Sequence, residues 1–407
     1  MAGKPSRGLA DVVVASTAIS DIDGRDGRLS YRGYDIRQLA GTVTFEEIAF
    51  LLQRGAPPDR AELAAYRAEL AAGRALGPAV RASLPAVARA QPPMAALRTL
   101  VSLAGADGPG AGPGIPADGA ADTEAALGGR NGDGPAAAPG GLATGDAGLR
   151  TAARLTAQQP VLVAAIEAAR RRAPLPDPDP GLGLAANFLL QLSGSAPEPR
   201  TAQILDACLV LQADHLMTAS TFAARVCAAT RAGLHAAVTA ALAALSGPLH
   251  GGASDAVRDE LEAARAAGGD PVEAAAEQVS ARLRRGEPIT GFGHRAYRGR
   301  DPRAELLREL SAELAGRGDD TYHRMAGRVE DIVLAERGLY PNADFYAATA
   351  YHYLGIPAGL ATPVLSVARM AGWTAHVLEQ YADNRLIRPG SAYIGESGLT
   401  WIPVADR

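Results

Sequence analysis

Three short segments rich in glycine or proline carry the residues best suited to acid–base chemistry. They place two histidines and one carboxylate between predicted helices: Gly247-Pro248-Leu249-His250-Gly251-Gly252, Gly291-Phe292-Gly293-His294-Arg295 and Pro341-Asn342-Ala343-Asp344-Phe345. Backbone amides in a glycine-rich break can approach a ligand without a side chain in the way. Two imidazoles and one carboxylate are what a reaction needs if it removes a proton beside one carbonyl and polarises another.

The predicted helices indicate how these residues are positioned. A helix that starts near positions 254 and 255 points its positive end at His250, which favours a neutral imidazole that can donate a hydrogen bond. Arg303 lies in the first turn of a helix opened by Asp301-Pro302, where an arginine and free helix amides together suit a carboxylate. A plain surface arginine fits the same local sequence equally well. Asp344, taken alone, is an ordinary N-cap of the following helix.

A fourth candidate, His215, lies on the longest helical signal, which predicts one helix from about Thr201 to Thr230. Its apolar stripe has the spacing of one helix face and consists of Ile204, Cys208, Leu211, His215, Phe222 and Val226. A histidine on such a face is more often a satisfied core residue than a ligand.

Composition limits the class of protein. With 407 residues the chain is long enough for two domains, and its net charge of -4 without a basic run argues against a nucleic-acid partner. Lys4 is the single lysine and lies in a tail, which excludes Schiff-base, pyridoxal-phosphate and P-loop chemistry within the fold. Arginine suits bidentate capture of carboxylates, although a GC-rich coding bias also explains its excess.

The cysteines and the hydropathy predict the compartment. Cys208 and Cys227 would be roughly 28 Å apart on a straight helix, which is beyond disulfide reach, so we expect reduced thiols. No stretch approaches the roughly 18 apolar residues that span a bilayer. We therefore expect a cytoplasmic protein with no membrane contact.

Two breaks divide the helical pattern. From about 105 to 148 the sequence is almost entirely Gly, Ala, Pro and Asp, which predicts a disordered surface insertion because such residues bury too little side chain to offset ordering. Deletion of 107 to 146 is therefore expected to leave activity intact. A second, proline-rich break runs from Ala173 to Gly183.

Motifs of other enzyme classes are absent from the sequence. Gly291-x-Gly293 lacks the third glycine and the preceding strand of a dinucleotide-binding fingerprint. The sequence contains no His-Glu-x-x-His, Cys-x-x-Cys or Gly-x-Ser-x-Gly, so a zinc hydrolase or a serine esterase has little support.

The chain resembles the citrate synthase family, which includes 2-methylcitrate synthases. The resemblance runs from about Gly8 to Ile394-Gly395 and is interrupted by the insertion. Its motifs are Leu29-Ser30-Tyr31-Arg32-Gly33-Tyr34-Asp35-Ile36, Ala213-Asp214-His215 with Ala219-Ser220-Thr221-Phe222, the three segments above with Asp301-Pro302-Arg303, Val367-Ala368-Arg369 with Gly372-Trp373-x-Ala375-His376, and Arg388-Pro389.

The resemblance implies an all-α, two-domain fold and a homodimer. The large domain would comprise residues 1–248 and 348–407, from both chain ends, and a smaller helical domain, 249–347, would close over the substrates. The implied reaction condenses acetyl-CoA, or alternatively propionyl-CoA, with oxaloacetate. No metal and no cofactor are implied, since acyl-CoA is a substrate.

The resemblance also assigns roles to single residues. Asp344 would abstract the acyl α-proton, His250 would stabilise the enol and His294 would polarise the ketone of oxaloacetate. The implied oxaloacetate binders are His215, Arg303, Arg369 and Arg388, with Arg388 crossing from the partner subunit. The residues implied to meet coenzyme A are Arg298, Gly291, Phe292 and Gly293.

Three residues depart from the family pattern near these motifs. Thr218 and Ser254 stand where the family usually has asparagine, and Ala347 replaces a small hydroxyl residue. None removes a catalytic group, but they leave acyl-chain preference and turnover open. The sequence of one chain also leaves regulation and assembly beyond a dimer open. Two other interpretations stay open: a catalytically silent homologue that binds oxaloacetate, and a metal-dependent hydrolase that uses His250, His294 and Asp344.

Overall fold

Helices dominate the structure, a computed structural model that describes residues 7–9, 12–107 and 145–407. In these ranges there are 16 α-helices, which confirms the all-α prediction. They are α1 Ile36–Leu39, α2 Phe45–Arg54, α3 Arg60–Gly73, α4 Pro78–Ala90, α5 Pro93–Ala104, α6 Gly145–Arg171, α7 Leu184–Ser193, α8 Pro199–Gln212, α9 Ala219–Ala229, α10 Leu234–Leu245, α11 Ala253–Ala266, α12 Pro271–Arg284, α13 Pro302–Ala315, α14 Thr321–Arg337, α15 Ala343–Tyr353 and α16 Ala361–Ala382.

A small sheet near the N-terminus is an addition that the sequence did not predict. Its strands are β1 Ser20–Asp23, β2 Arg28–Tyr31 and β3 Tyr34–Asp35, paired antiparallel in that order. Ile19, Leu29 and Tyr31 are fully buried. The sheet therefore anchors the N-terminal segment to the helical core.

Helix starts follow local capping chemistry. Thr44 and Glu47 form a reciprocal capping box at α2, and Asp59 and Glu62 form another at α3, as the sequence predicts. The proline-rich break between α6 and α7 is also present. The predicted insertion has different limits, because Gly105–Asp107 forms a 3₁₀ turn and α6 begins at Gly145. The rest of the predicted insertion lies outside the described residues, and so does Lys4.

The predicted single helix from Thr201 to Thr230 is wrong. The chain leaves the helix after Gln212 and re-enters it at Ala219. Asp214 causes the break, because its carboxylate accepts hydrogen bonds from the Leu216 amide at 3.1 Å and from the Ser20 hydroxyl at 2.5 Å. Such side-chain bonds to the backbone compete with the helix ladder, and Leu216 adopts a left-handed φ of 54°.

Helix α16 is the central element. It packs against helices from both ends of the chain, among them α2, α6, α9, α10 and α11. At Gly372 it approaches the break so closely that the Gly372 amide donates to Ala213 O at 3.2 Å, and an added Cβ would lie 2.5 Å from that oxygen. A glycine is required there because no side chain fits.

The helices of the predicted smaller domain pack on one another: α11 against α12 and α15, α12 against α14, and α13 against α15. The boundary predicted at residue 347 falls inside α15, and the division into two domains stays a prediction. Within the described ranges, no helix is long and apolar enough to cross a membrane.

Candidate active site

Two of the candidate histidines lie against each other. The rings of His215 and His294 meet edge to face with centroids 5.1 Å apart, and the Tyr297 hydroxyl is 3.2 Å from His215 Nε2. His215 lies in the break between α8 and α9 rather than on a helix stripe. Burial, followed by the positive charges of Arg303 and Arg369, holds the pKa of His215 well below its usual value. The ring is therefore neutral at physiological pH.

His294 is oriented by its own loop. The backbone amides of Ala296 and Tyr297 donate to its Nδ1 at 2.9 and 3.3 Å. Because both donors point at Nδ1, the proton of the neutral ring lies on Nε2. Burial lowers the pKa of His294 to about 4, and Arg303 lowers it too. His294 can thus donate one hydrogen bond from Nε2 without carrying a charge.

Arg303 is buried and held by one carboxylate. Its Nε and Nη2 donate to the two oxygens of Asp301 at 3.0 and 2.7 Å. Burial lowers the pKa of Arg303, but Asp301 outweighs that effect and the net change is upward. The carboxylate thus offsets the cost of a cation in the first turn of α13. Asp301 Oδ2 also accepts from the Ala343 amide at 3.2 Å, which ties Arg303 to the start of α15.

Arg369 carries an unused donor group. It is 4% exposed on α16, and its Nε donates to Gln212 O at 2.8 Å. Its Nη1 is buried and has no hydrogen-bond partner among the described residues. Burial and the nearby Arg303 lower the pKa of Arg369. Arg303 is paired with Asp301, whereas Arg369 has no ion pair among the described residues, so the two buried guanidiniums leave a site suited to a further anion.

His250 lies in the turn between α10 and α11, as predicted, and rests on Ser220 of α9. Its Nε2 is 2.8 Å from Ser220 Oγ and accepts from the Ser220 amide at 3.3 Å. The proton of the neutral ring is therefore on Nδ1. Burial lowers the pKa of His250 to about 4, with a further contribution from Arg369. The predicted neutral state agrees with this direction, and the helix that follows His250 begins at Ala253.

Asp344 is the third candidate, and its predicted position as N-cap is wrong. Asn342 caps α15 by accepting from the Asp344 amide at 3.1 Å, so Asp344 lies in the first helical turn. Burial raises the pKa of Asp344, and a hydrogen bond of 2.8 Å from Ser254 Oγ opposes that rise. A carboxylate with a raised pKa suits a general base.

The glycine loop before His294 forms backbone hydrogen bonds with the segment before Asp344. Gly291 O accepts from the Asn342 amide at 2.8 Å, and the Gly293 amide donates to Tyr340 O at 2.9 Å. Both glycines have left-handed φ values, 81° and 77°. Phe292 pairs with Phe345 at a centroid distance of 4.7 Å. The loop and the base therefore form one structural unit.

Two predicted binders are not part of this cluster. Arg298 is exposed, and its backbone amide donates to Gly24 O at 2.9 Å. Arg388 is exposed on the C-terminal tail beyond α16. Within one chain the structure thus brings together His215, His250, His294, Arg303, Asp344 and Arg369, which share electrostatic interactions.

Sequence reasoning gave no role to several supporting residues. Tyr297 contacts His215, and Trp373 Nε1 donates to Ser220 Oγ at 3.2 Å. Tyr297 could have been suspected as an aromatic residue three positions after His294. Trp373 belongs to a motif of the family resemblance, but its contact with Ser220, 153 positions away, has no signal in the sequence. The described residues contain no group of three or more His, Cys, Asp or Glu that could hold a metal ion.

Comparison with known proteins agrees with this geometry. The family profile "Citrate synthase, C-terminal domain" matches residues 8–390. The chain is 42% identical to a citrate synthase of Haloferax volcanii over 100% of both chains, and 35% identical to a 2-methylcitrate synthase of Shewanella oneidensis over 98% of this chain and 97% of that one.

A solved structure of the Thermoplasma acidophilum citrate synthase, in ternary complex with carboxymethyl coenzyme A and oxaloacetate, superposes with a TM-score of 0.83 at 26% identity and covers 99% of this chain and 100% of that one. These matches extend over nearly the whole chain. The chain belongs to the citrate synthase family, a family of acyltransferase enzymes.

Proposed function

We propose that the protein condenses acetyl-CoA with oxaloacetate and water to give citrate and CoA. The observation that supports this most strongly is the buried pair Arg303 and Arg369, in which Nη1 of Arg369 has no hydrogen-bond partner among the described residues. A dicarboxylate supplies the anionic oxygens that Arg369 lacks and can also contact Arg303 beside it. The neutral His215 and His294 beside the pair complete a surface for an anion that also carries a carbonyl oxygen.

In the first step Asp344 takes a proton from the methyl group of acetyl-CoA. Burial raises the pKa of Asp344 towards that of the weakly acidic methyl group, which makes the proton transfer less unfavourable. His250 donates from Nδ1 to the thioester oxygen as that oxygen gains negative charge. Since His250 is neutral, the hydrogen bond stabilises the enol without delivering a full positive charge.

In the second step the enol carbon attacks the ketone carbon of oxaloacetate. A carbon–carbon bond forms as the ketone π bond opens, and the Nε2–H of His294 stabilises the negative charge that develops on the ketone oxygen. That oxygen then takes the proton that Asp344 removed from the methyl group, so both residues return to their starting states. Water then hydrolyses the thioester and releases CoA as the thiol. The roles of His215, Arg303, Arg369 and Arg388 are to bind oxaloacetate, and those of Arg298 and Gly291 to Gly293 are to bind CoA. No cofactor takes part, because acyl-CoA is consumed as a substrate.

The active form is a homodimer in which Arg388 reaches the partner's site. Support comes from the tail that carries Arg388, because it exposes large apolar side chains such as Ile394, 96% exposed, and Trp401, 79% exposed. Apolar surface of this kind favours contact with another chain. A small domain of residues 249–347 closes over the substrates and excludes water, which protects the thioester from idle hydrolysis. Free Cys208 and Cys227 are consistent with a cytoplasmic location.

The second candidate substrate is propionyl-CoA, which would give 2-methylcitrate. The 2-methylcitrate synthase relative supports it, as does the small side chain of Ala347, which is fully buried on the same helix as Asp344. One methylene changes binding by about 1 to 3 kcal/mol. The preference between acetyl-CoA and propionyl-CoA is therefore a difference in kcat/KM, and the mechanism is the same for both.

The test is release of the CoA thiol with oxaloacetate, comparing acetyl-CoA with propionyl-CoA over a full concentration range. A higher kcat/KM for acetyl-CoA is expected, and the reverse result would assign the propionyl reaction. Asp344→Ala should abolish release while calorimetry still detects oxaloacetate binding, with the exposed Asp331→Ala as matched control. Oxaloacetate binding without turnover by the wild type would establish the silent homologue. Activity lost to strong chelators would point to a metal enzyme.

A further inference from the structure

A second cavity lies in the other half of the molecule, between α3, α4, α6 and the proline-rich segment that follows α6. Its volume is about 720 Å³, which lies within the range of small-molecule sites, about 300–1,000 Å³. None of its lining residues belongs to the active site described above. The floor is apolar and is formed by Ala71, Leu76, Leu84, Val161, Ala165 and Leu175.

The rim of this cavity is strongly positive. Four arginines line it, Arg74, Arg81, Arg89 and Arg172, against one carboxylate, Asp177. Among the described residues, none of these four arginines forms an ion pair with a carboxylate, whereas other arginines do, for example Arg54 with Glu69. Arg81 donates instead to Leu76 O at 2.6 Å and Arg74 to Leu182 O at 3.4 Å. The charges are thus held at the cavity without being neutralised.

Two partly or fully buried polar groups at the cavity make weak contacts. Arg74 is half-buried and donates to Leu182 O over a long 3.4 Å, and burial lowers its pKa more than the nearby Glu46 raises it. Gln191 is 4% exposed, and its Nε2 donates to Pro176 O over a long 3.4 Å. Groups of this kind bind a ligand without first breaking strong bonds within the protein.

We propose that this cavity binds a small amphiphile with an anionic head, of the class of the alkyl carboxylates. The alkyl chain lies on the alanine and leucine floor, and the carboxylate lies between Arg74 and Arg81, where two guanidiniums can form charge-assisted hydrogen bonds. A purely polar anion would leave the apolar floor exposed to water. A neutral or cationic amphiphile would leave the arginines without an anionic partner. Head and chain are therefore both required.

The experiment is calorimetric titration of the full-length protein with hexanoate, octanoate and decanoate below their micelle concentrations. Affinity should rise about fourfold per added methylene, from about 0.8 kcal/mol per buried CH₂. Decyltrimethylammonium, with the same chain and the opposite charge, should bind at least about tenfold more weakly than decanoate because the arginines repel it.

Three variants locate the site. Arg74→Gln and Arg81→Gln should each weaken decanoate binding about tenfold through loss of a charge-assisted bond. Ala169→Phe should obstruct the apolar floor and weaken binding strongly, while the exposed Arg284→Gln on α12 makes the same charge change far along the chain and should have no effect. Thermal melting checks that each variant is folded. The proposal is overturned by absence of saturable binding, by equal binding of the cationic amphiphile, or by binding that Ala169→Phe leaves unchanged.

Discussion

Ser254 donates a hydrogen bond to Asp344 Oδ1 at 2.8 Å. The two residues lie in the first turns of α11 and α15, which pack against each other. Ser254 is one of the positions where the sequence departs from the family pattern, and it contacts the proposed base directly. The bond counteracts the effect of burial on the pKa of Asp344. The residue at position 254 therefore helps to set the pKa of the proposed base.

Replacing Ser254 with alanine should raise the pKa of Asp344 further, because the opposing hydrogen bond is lost. Asp344 acts in its ionised form, so the acidic limb of the kcat profile should move to higher pH, and kcat at neutral pH should fall about tenfold. Ser254→Asn restores the family residue and a donor, and should keep the limb near its wild-type position. An unchanged profile in Ser254→Ala would show that the bond does not act on the base.

Arg369→Ala should weaken capture of oxaloacetate. Loss of charge-assisted hydrogen bonds should raise the KM for oxaloacetate about 10- to 100-fold, while the KM for acyl-CoA changes little. Since burial already disfavours the Arg369 cation, the melting temperature should not fall strongly. The exposed Arg324→Ala serves as control. A normal dependence on oxaloacetate would remove Arg369 from the binding site.

Trp373→Phe tests the support of His250. The change removes the indole donor to Ser220 Oγ. The Ser220 hydroxyl contacts His250 Nε2, and without this bond its orientation is less fixed. We expect kcat to fall about three- to tenfold, the size of one hydrogen bond, with the KM for oxaloacetate unchanged. Tyr381→Phe, which removes an aromatic donor to Ala232 O on the same helix, is a matched control. Equal effects of both changes would argue against this role.

Gly372→Ala tests the close approach of α16 to the break that holds His215. In an ordinary helix interior this change stabilises by about 1 kcal/mol. Here the new Cβ would clash with Ala213 O and with the Asp214 carboxylate, so we expect a loss of about 1–3 kcal/mol in the free energy of unfolding and a higher KM for oxaloacetate. Gly318→Ala, with open space around the glycine, should cause neither. Unaltered urea unfolding in Gly372→Ala would contradict the predicted clash.

Acid should destabilise the protein through its buried histidines. Their folded pKa values are about 4 for His250 and His294, against 6.5 for the free side chain. Between these values the unfolded state binds more protons, so stability falls as the pH drops from about 6.5 to 4, by up to about 1.4 kcal/mol per pH unit for each histidine. Asp344 and Asp206 have the opposite sign, because burial raises their pKa values, to about 7 for Asp206. They are outnumbered by the buried histidines, since burial also lowers the pKa values of His215 and His235.

The measurement is urea unfolding at several pH values in this window. His294→Asn should reduce the slope of stability against pH, whereas His323→Asn, at a half-buried position with a smaller shift, should reduce it less. Equal slopes in the wild type and His294→Asn would mean that His294 titrates normally in the folded protein.

Much of the local structure followed from sequence because its causes are local. The capping boxes at Thr44 and Asp59 set helix starts through residues three positions apart. Asp301 caps α13 directly before Pro302, as its position indicates. The positions of His250 and His294 between helices followed from the glycines and prolines beside them. Glycine and proline end helices whatever surrounds them.

The sequence by itself determined the helical class, the helix limits set by such caps, and the set of histidines, arginines and carboxylate with its chemistry. The tertiary structure decided how that set is held. It broke the helix at His215 because Ser20, 194 positions from Asp214, bonds its carboxylate, and it joined Arg303 to the helix of Asp344 through Asp301. These contacts link distant parts of the chain, and a local pattern carries no information about which of many polar groups will meet in the folded core.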